Sequence, residues 1–328
     1  MTEQTPILEL RHLKKYFPIY DESVLFSKKK GDVKAVDDVS FSVNRGETLG
    51  IVGESGCGKS TLGKTLMRLI EPTGGQVLFH GLDIVPLDNE RMRAIRRAIQ
   101  MVFQDPYASL NPRMTIGRTL EEPLLIQKVG TAETRRQAAE EILEEVGLNK
   151  KHYYSYPHEF SGGQRQRIAI ARALISRPEL IVADEAVSAL DVSVQAQILN
   201  LMQELQEKYQ LTYLFISHDL SVIRYISDRI VVMYLGRVME IADTEELFTH
   251  TLHPYTQGLL AAAPRLDRRR EHKAMILNTD IPSASNPPSG CVFHTRCPFA
   301  KDICSKEIPQ LKDVGNHHIV ACHFAGKD

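Results

Sequence analysis

The sequence predicts an α/β protein: a mostly parallel sheet with helices on it, followed by a small cysteine-bearing extension. Three observations predict it. A glycine-rich turn, Gly53–Ser60, stands between a short apolar run and a helical pattern. Further apolar runs of strand length alternate with segments of helical period. Four of the five cysteines, Cys291, Cys297, Cys304 and Cys322, fall within the last 38 residues.

Charge and composition narrow the class. The 328 residues carry 40 Lys+Arg against 41 Asp+Glu, a formal net charge of −1. That balance excludes a nucleic-acid binder that relies on a basic field over the whole chain, and leaves only a local patch open. With 43% hydrophobic and 25% charged residues, disorder is excluded as the dominant state. No stretch approaches the ~18 uninterrupted apolar residues of a membrane span. The start, MTEQTPILELRHLKK, lacks the basic segment and apolar run of a secretory signal. The expectation is a soluble intracellular chain. In a reducing compartment a cysteine cluster reads as a metal or iron–sulfur site before it reads as disulfides.

Each element has a local reason. Thr48–Val52 is short enough for a buried parallel strand; Leu62, Leu66, Leu69 and Ile70 then recur at helical spacing. Residues 131–147 read as an amphipathic helix opened by Thr131 and stopped by Gly147. Residues 161–176 read as another, opened by Ser161 and ended before Pro178. Leu180–Ala183, Tyr213–Ile216 and Ile230–Tyr234 are further strands. Between the first two, Val194, Ile198, Leu201 and Leu205 mark one helix face. Residues 18–34, with Lys28–Lys30, lack a period and read as a solvated surface loop, a contact to lipid or a partner being the alternative. Residues 264–290, with Pro264, Arg268–Arg270, Pro282, Pro287, Pro288 and Gly290, read as a linker into the tail.

Gly53-Glu54-Ser55-Gly56-Cys57-Gly58-Lys59-Ser60 is a complete G-x-x-x-x-G-K-S in the strand-to-helix context that the motif requires. Glycines let the backbone wrap a phosphate, and its N–H groups and the helix N-terminus, through Thr61, face the anion. Lys59 is read as reaching the β- and γ-phosphates of a nucleotide, and Ser60 as holding Mg2+. Cys57 reads as a loop filler with no nucleophilic role. Leu180–Glu185 is an apolar strand ending in two carboxylates. Asp184 at the carboxyl edge of the sheet is read as fixing Mg2+, and Glu185 as the general base.

Here the residues point to a family. Phe160-Ser161-Gly162-Gly163-Gln164, followed by Arg165-Gln166-Arg167, resembles the signature loop of ABC-transporter ATPases. Ser188-Ala189-Leu190-Asp191 resembles their D-loop, Gln104 the Q-loop glutamine that joins Ser60 and Asp184 on Mg2+, and His218 the switch histidine at the γ-phosphate. Tyr16 stands where the family places an aromatic for adenine, a core aromatic being the bland alternative. The resemblance implies a P-loop ABC ATPase domain over residues 1–260, with a helical subdomain at about 105–176 and an extension over 261–328. It also implies a head-to-tail dimer that clamps ATP between one chain's glycine turn and the other's Ser161 loop. One departure stands out: the family usually has proline after the catalytic Glu, and this chain has Ala186, whose freer backbone is expected to loosen Glu185.

His253-Pro254-Tyr255-Thr256, Gly258-Leu259-Leu260, Asn286-Pro287-Pro288 and Gly290-Cys291 resemble the C-terminal element of the ATPase subunits of bacterial peptide permeases, most nearly the dipeptide type, with the oligopeptide type as close rival. Nickel, glutathione and haem-precursor permeases, and a soluble ABC ATPase without transport, are further alternatives. The resemblance implies a second, different ATPase subunit, two membrane permease subunits and an external peptide-binding protein, with this chain peripheral on the cytoplasmic face of the inner membrane and no nucleic-acid partner. Tyr107 and Leu110 fall where the family grips its membrane subunits; ordinary core is equally open. The spacing C-x5-C-x6-C-x17-C offers four thiolates to a [4Fe–4S] cluster, to Zn2+ or to neither. The absence of a tight C-x2-C tilts the reading towards iron–sulfur. His317, His318 and His323 are read as surface residues.

Overall fold

The computed structural model describes residues 5–20, 29–105, 109–262 and 280–325. Lys28, Tyr107, Pro264 and Arg268–Arg270 lie outside the described residues. The strands, in chain order, are β1 (Leu8–Tyr20), β2 (Lys29–Val43), β3 (Thr48–Val52), β4 (Gly74–Phe79), β5 (Leu82–Asp83), β6 (Ile99–Val102), β7 (Leu180–Asp184), β8 (Thr212–Ile216), β9 (Arg229–Tyr234), β10 (Arg237–Asp243), β11 (Lys312–Asp313) and β12 (Ile319–Val320). The chain divides into two compact units. One comprises Met1–Asn44, Thr48–Val85 and Ser217–Asp328; the other comprises Arg45–Glu47 and Pro86–Ile216.

In the first unit β3 and β9 run parallel, Leu49 opposite Arg229 and Val52 opposite Val232. β10 returns antiparallel on β9. β12 then pairs with β10 through Glu240–Val320 and Ile241–Ile319, so the extension contributes strands to the sheet that carries the glycine turn. A separate antiparallel sheet has the order β2-β1-β4-β5. All of β3 is buried, as a central parallel strand requires.

Two expectations are corrected here. The helix after the glycine turn, Lys59–Leu66, buries Leu62 and Leu66 but stops short of Leu69, which is 48% exposed. Arg68 takes a φ of 51°, and a left-handed residue ends an α-helix. Residues 18–34 are not one surface loop. β1 continues to Tyr20 and β2 begins at Lys29, with Pro18 opposite Asp32 and Tyr20 opposite Lys29. A solvated hairpin is held by its backbone ladder and needs no apolar alternation, so its sequence shows no period.

The second unit holds the parallel strands β6, β7 and β8, with Ile99 opposite Leu180 and Asp184 opposite Ile216. Its helices include Ala132–Glu145, Gly162–Leu174 and Val192–Tyr209. Thr131 opens the first with a capping box. Gly147, at φ 75°, ends it with its N–H on Glu144 O at 2.9 Å. Val192–Tyr209 buries Ile198, Leu201 and Leu205. Leu110 is buried core. Among the described residues no helix is long and apolar enough to cross a membrane.

Candidate functional site

β3 delivers the first unit's chain to Gly53. The turn closes through Cys57 N–H on Glu54 O at 3.2 Å and Gly236 N–H on Cys57 O at 2.8 Å; Leu62 N–H on Gly58 O at 2.8 Å then opens the helix. Gly58 has a φ of 105°, and a Cβ there would lie 2.0 Å from Ala35 O, so only glycine fits. Lys59 is 4% exposed, its ammonium on Gly53 O at 2.7 Å and Glu54 O at 3.0 Å. The loop therefore folds around its own cation. Ser55 and Gly56 are exposed, Ser60 and Thr61 half-buried. Burial pushes the Cys57 thiol up against the pull of Lys59, which disfavours a thiolate nucleophile.

Glu54, a variable position of the motif, is held twice. Its N–H donates to the Tyr255 hydroxyl at 2.9 Å. Its carboxylate accepts two bonds from the Arg296 guanidinium, at 2.7 and 3.0 Å. Tyr234, Tyr255 and Phe293 pack together here with ring centroids 4.7 to 5.4 Å apart. The sequence reading missed Arg296, and nothing in local spacing marks it.

Tyr16 is half-buried on β1. Its hydroxyl donates to Asp37, which also accepts from Arg237 at 2.6 and 3.0 Å. Burial, then the hydrogen bond to Asp37, pushes the Tyr16 phenol up. For Asp37 burial acts upward, but Tyr16 and Arg237 hold its carboxyl below the ordinary value. His218 is exposed just before the helix Leu220–Ile226.

The second unit gathers the acidic strand end. Asp184 is buried at the end of β7. Glu185 turns out of the strand at φ 50°. Its N–H donates to Ile216 O at 2.9 Å, and its carbonyl accepts from Ser188 N at 3.1 Å and Oγ at 2.9 Å. Its carboxylate accepts from Gln104 Nε2 at 2.8 Å. Glu185 is thus anchored at backbone and side chain, with Ala186 rather than proline after it. Ser161 opens the helix Gly162–Leu174 with a capping box: its Oγ accepts from Gln164 N–H at 3.3 Å, and Gln164 Oε1 accepts from Ser161 N–H at 3.0 Å. A Cβ on Gly163 would lie 2.5 Å from Val194 Cγ1, so the two helices meet closely there. Asp191 is exposed as N-cap of Val192–Tyr209.

The cysteine-bearing extension belongs to the first unit. Cys291 N–H donates to Cys304 O at 2.7 Å, and Gly290, at φ 64°, has no room for a Cβ beside that carbonyl, 2.4 Å away. All four tail cysteines line one cavity of about 350 Å³, with Phe293, Phe299, His294 and His323. Cys291 is pushed up to about 11, first by burial and further by the other three thiols. Among the described residues, no group of three or more His, Cys, Asp and Glu is placed to hold a metal ion. The histidines correct the sequence reading. His317 is exposed and His323 half-buried, but His318 is 2% exposed, its Nε2 2.7 Å from Glu240.

The chain can now be set beside known proteins. A family model for the ABC transporter matches residues 36–188, and one for the oligopeptide/dipeptide transporter C-terminal region matches 239–304. The chain is similar to the oligopeptide transport ATP-binding protein AppF of Bacillus subtilis, 59% identical over 324 residues and 98% of each chain. It is also similar to a putative peptide import ATP-binding protein of Brucella ovis, 52% identical over 322 residues and 98% of each chain. Among solved structures it resembles the dimeric post-hydrolysis state of the ATP-binding cassette MJ0796 bound to ADP and Pi. That match has 32% identity and a TM-score of 0.63, over 72% of this chain and 98% of the other. Fold and loops are those of a P-loop ATPase. The chain belongs to the ABC transporter ATP-binding proteins that carry the oligopeptide/dipeptide transporter C-terminal region.

Proposed function

We propose that this chain hydrolyses ATP to power peptide import through a membrane permease, as a peripheral subunit on the cytoplasmic face of the inner membrane. The observation that carries the reading is the likeness, over 98% of the chain, to proteins named for oligopeptide transport and for peptide import. The cassette spans 1–260 and the extension 261–328. The partners are a second, different ATPase subunit, two membrane subunits and an external binding protein. Two similar Bacillus subtilis proteins are named for oligopeptides, which favours oligopeptides over the dipeptides expected from the sequence.

The residue roles follow from chemistry. Lys59 and the backbone from Gly53 to Thr61 bind the phosphates. Ser60, Gln104 and Asp184 are the proposed holders of Mg2+, which when bound neutralises charge on the β- and γ-phosphates. Glu185 orients and deprotonates the attacking water, its carboxylate fixed by the Gln104 amide. His218 serves the γ-phosphate and Tyr16 the adenine. Ser161, Gly162, Gly163, Gln164 and Asp191 serve the nucleotide of the neighbouring cassette.

The tail thiols are proposed to hold a [4Fe–4S] cluster, with Zn2+ as the alternative. Four soft donors lining one cavity support this. A bound cationic centre would favour the thiolate form of its ligands, against the burial that pushes the Cys291 and Cys297 thiols up, and its part is structural.

Purification of the chain from gently solubilised membranes is expected to bring down permease subunits, and Lys59→Ala is expected to abolish uptake of labelled peptides. Undiminished uptake with Lys59→Ala would end the reading.

A further inference from the structure

A loop that binds a triphosphate should not carry a free carboxylate, yet the second residue of this one is Glu54. Unit charges a few ångströms apart in a partly buried site repel by kilocalories. The structure supplies the answer from a distant part of the chain. Arg296 forms a two-pronged ion pair with Glu54 at 2.7 and 3.0 Å, and its side chain is 4% exposed. Bidentate geometry of this kind fixes orientation as well as charge. The guanidinium also donates to the Tyr234 hydroxyl at 3.4 Å and lies 5.7 Å from that ring's centre. The Tyr255 hydroxyl, on the helix Pro254–Ala262, takes the Glu54 N–H.

We infer that Arg296 is a positioning residue for ATP binding: it neutralises Glu54 and holds the carboxylate away from the phosphate cradle, which makes the cysteine-bearing extension a working part of the nucleotide site. Arg296 immediately precedes Cys297 and follows Phe293 by three residues. The extension's fold therefore decides where the guanidinium stands. The inference rests on the ATPase reading of the chain and not on what the cysteines hold.

The experiment titrates MgATP into the full chain for three variants. Removing the cation with Arg296→Met leaves the Glu54 charge facing the phosphates, and affinity is expected to fall about 10–100-fold. Glu54→Gln keeps the backbone N–H of the cradle and leaves the Arg296 cation without its carboxylate partner beside the phosphates, so affinity is expected to rise above the parent's. The double variant is expected to return to within about threefold of the parent. The loss should appear in KM for ATP, with kcat at saturating nucleotide nearly unchanged. A purely structural clamp makes the opposite prediction, because either single change breaks it and the double change does not repair it. Equal weakening by Glu54→Gln and Arg296→Met overturns the inference, as does parental affinity in Arg296→Met. Iron and zinc assays on the same samples separate it from the cluster reading, since rescue by the double variant occurs at whatever metal content the single variant has. A parent chain that binds no MgATP sinks the ATPase reading instead.

Discussion

His318 donates through Nε2 to the Glu240 carboxylate at 2.7 Å, with 2% of the histidine and none of the glutamate side chain exposed. The same carboxylate accepts the N–H groups of Leu252 at 2.8 Å and His253 at 3.2 Å. One buried charge on β10 thus binds the tail strand β12 and the start of the helix Pro254–Ala262.

Stability should follow this pair with pH. Burial lowers the His318 pKa, but Glu240 and Glu246 outweigh it and raise the ring above its ordinary value. A raised histidine contributes fully below its unfolded pKa of about 6.5 and loses that contribution as pH climbs through the folded value. His253 has the opposite sense: burial holds it near 4, so its contribution rises with pH up to about the unfolded value of 6.5 and is level only above it. Melting temperature should therefore fall above about pH 6.5. His318→Gln should flatten the profile, and His318→Ala should cost about 3 kcal/mol by stranding Glu240. A parental profile in His318→Gln would remove the pair as its cause.

Hydrolysis should depend on the pair formed by Gln104 and Glu185. Glu185→Gln is expected to lower kcat at least ~100-fold while ATP still binds. Because Glu185 is anchored at N, O and carboxylate, Ala186→Pro is expected to leave the rate within about threefold. Steady-state phosphate release decides both. A Glu185→Gln chain as fast as the parent would falsify the base assignment.

Anaerobic purification should give a brown chain with a broad visible absorption and about four irons and four sulfides per chain. Cys297→Ser should bleach it. A colourless chain with one zinc per molecule would replace the cluster with the alternative.

Gly58→Ala should abolish ATP binding, since its Cβ would stand 2.0 Å from Ala35 O and the left-handed backbone is costly for alanine. Thr131→Ala, which removes only a helix cap, should cost about 1 kcal/mol and spare binding. Calorimetry of the two variants side by side tests whether the effect of Gly58 is local to the loop.

Much of the fold was legible because its signals are local. Thr48–Val52 is a strand in both sequence and structure, and Thr131 and Ser161 cap the helices they were expected to cap. The hairpin of β1 and β2 was not legible, because its solvated end carries no alternation. The helix end at Leu66 was missed because an apolar spacing continued past the residue that turns left-handed.

By itself the sequence determined the glycine turn, the acidic strand end, the Ser161 helix cap and the presence of four late cysteines. Each is a spacing of a few residues, and local backbone geometry converts such spacing into structure. Only the tertiary structure decided that Arg296 meets Glu54 across 242 positions and His318 meets Glu240 across 78. It also brought the cysteines to one cavity. A charged side chain carries no mark of its distant partner, and the pairing of His318 with Glu240 exists only once β12 has joined β10.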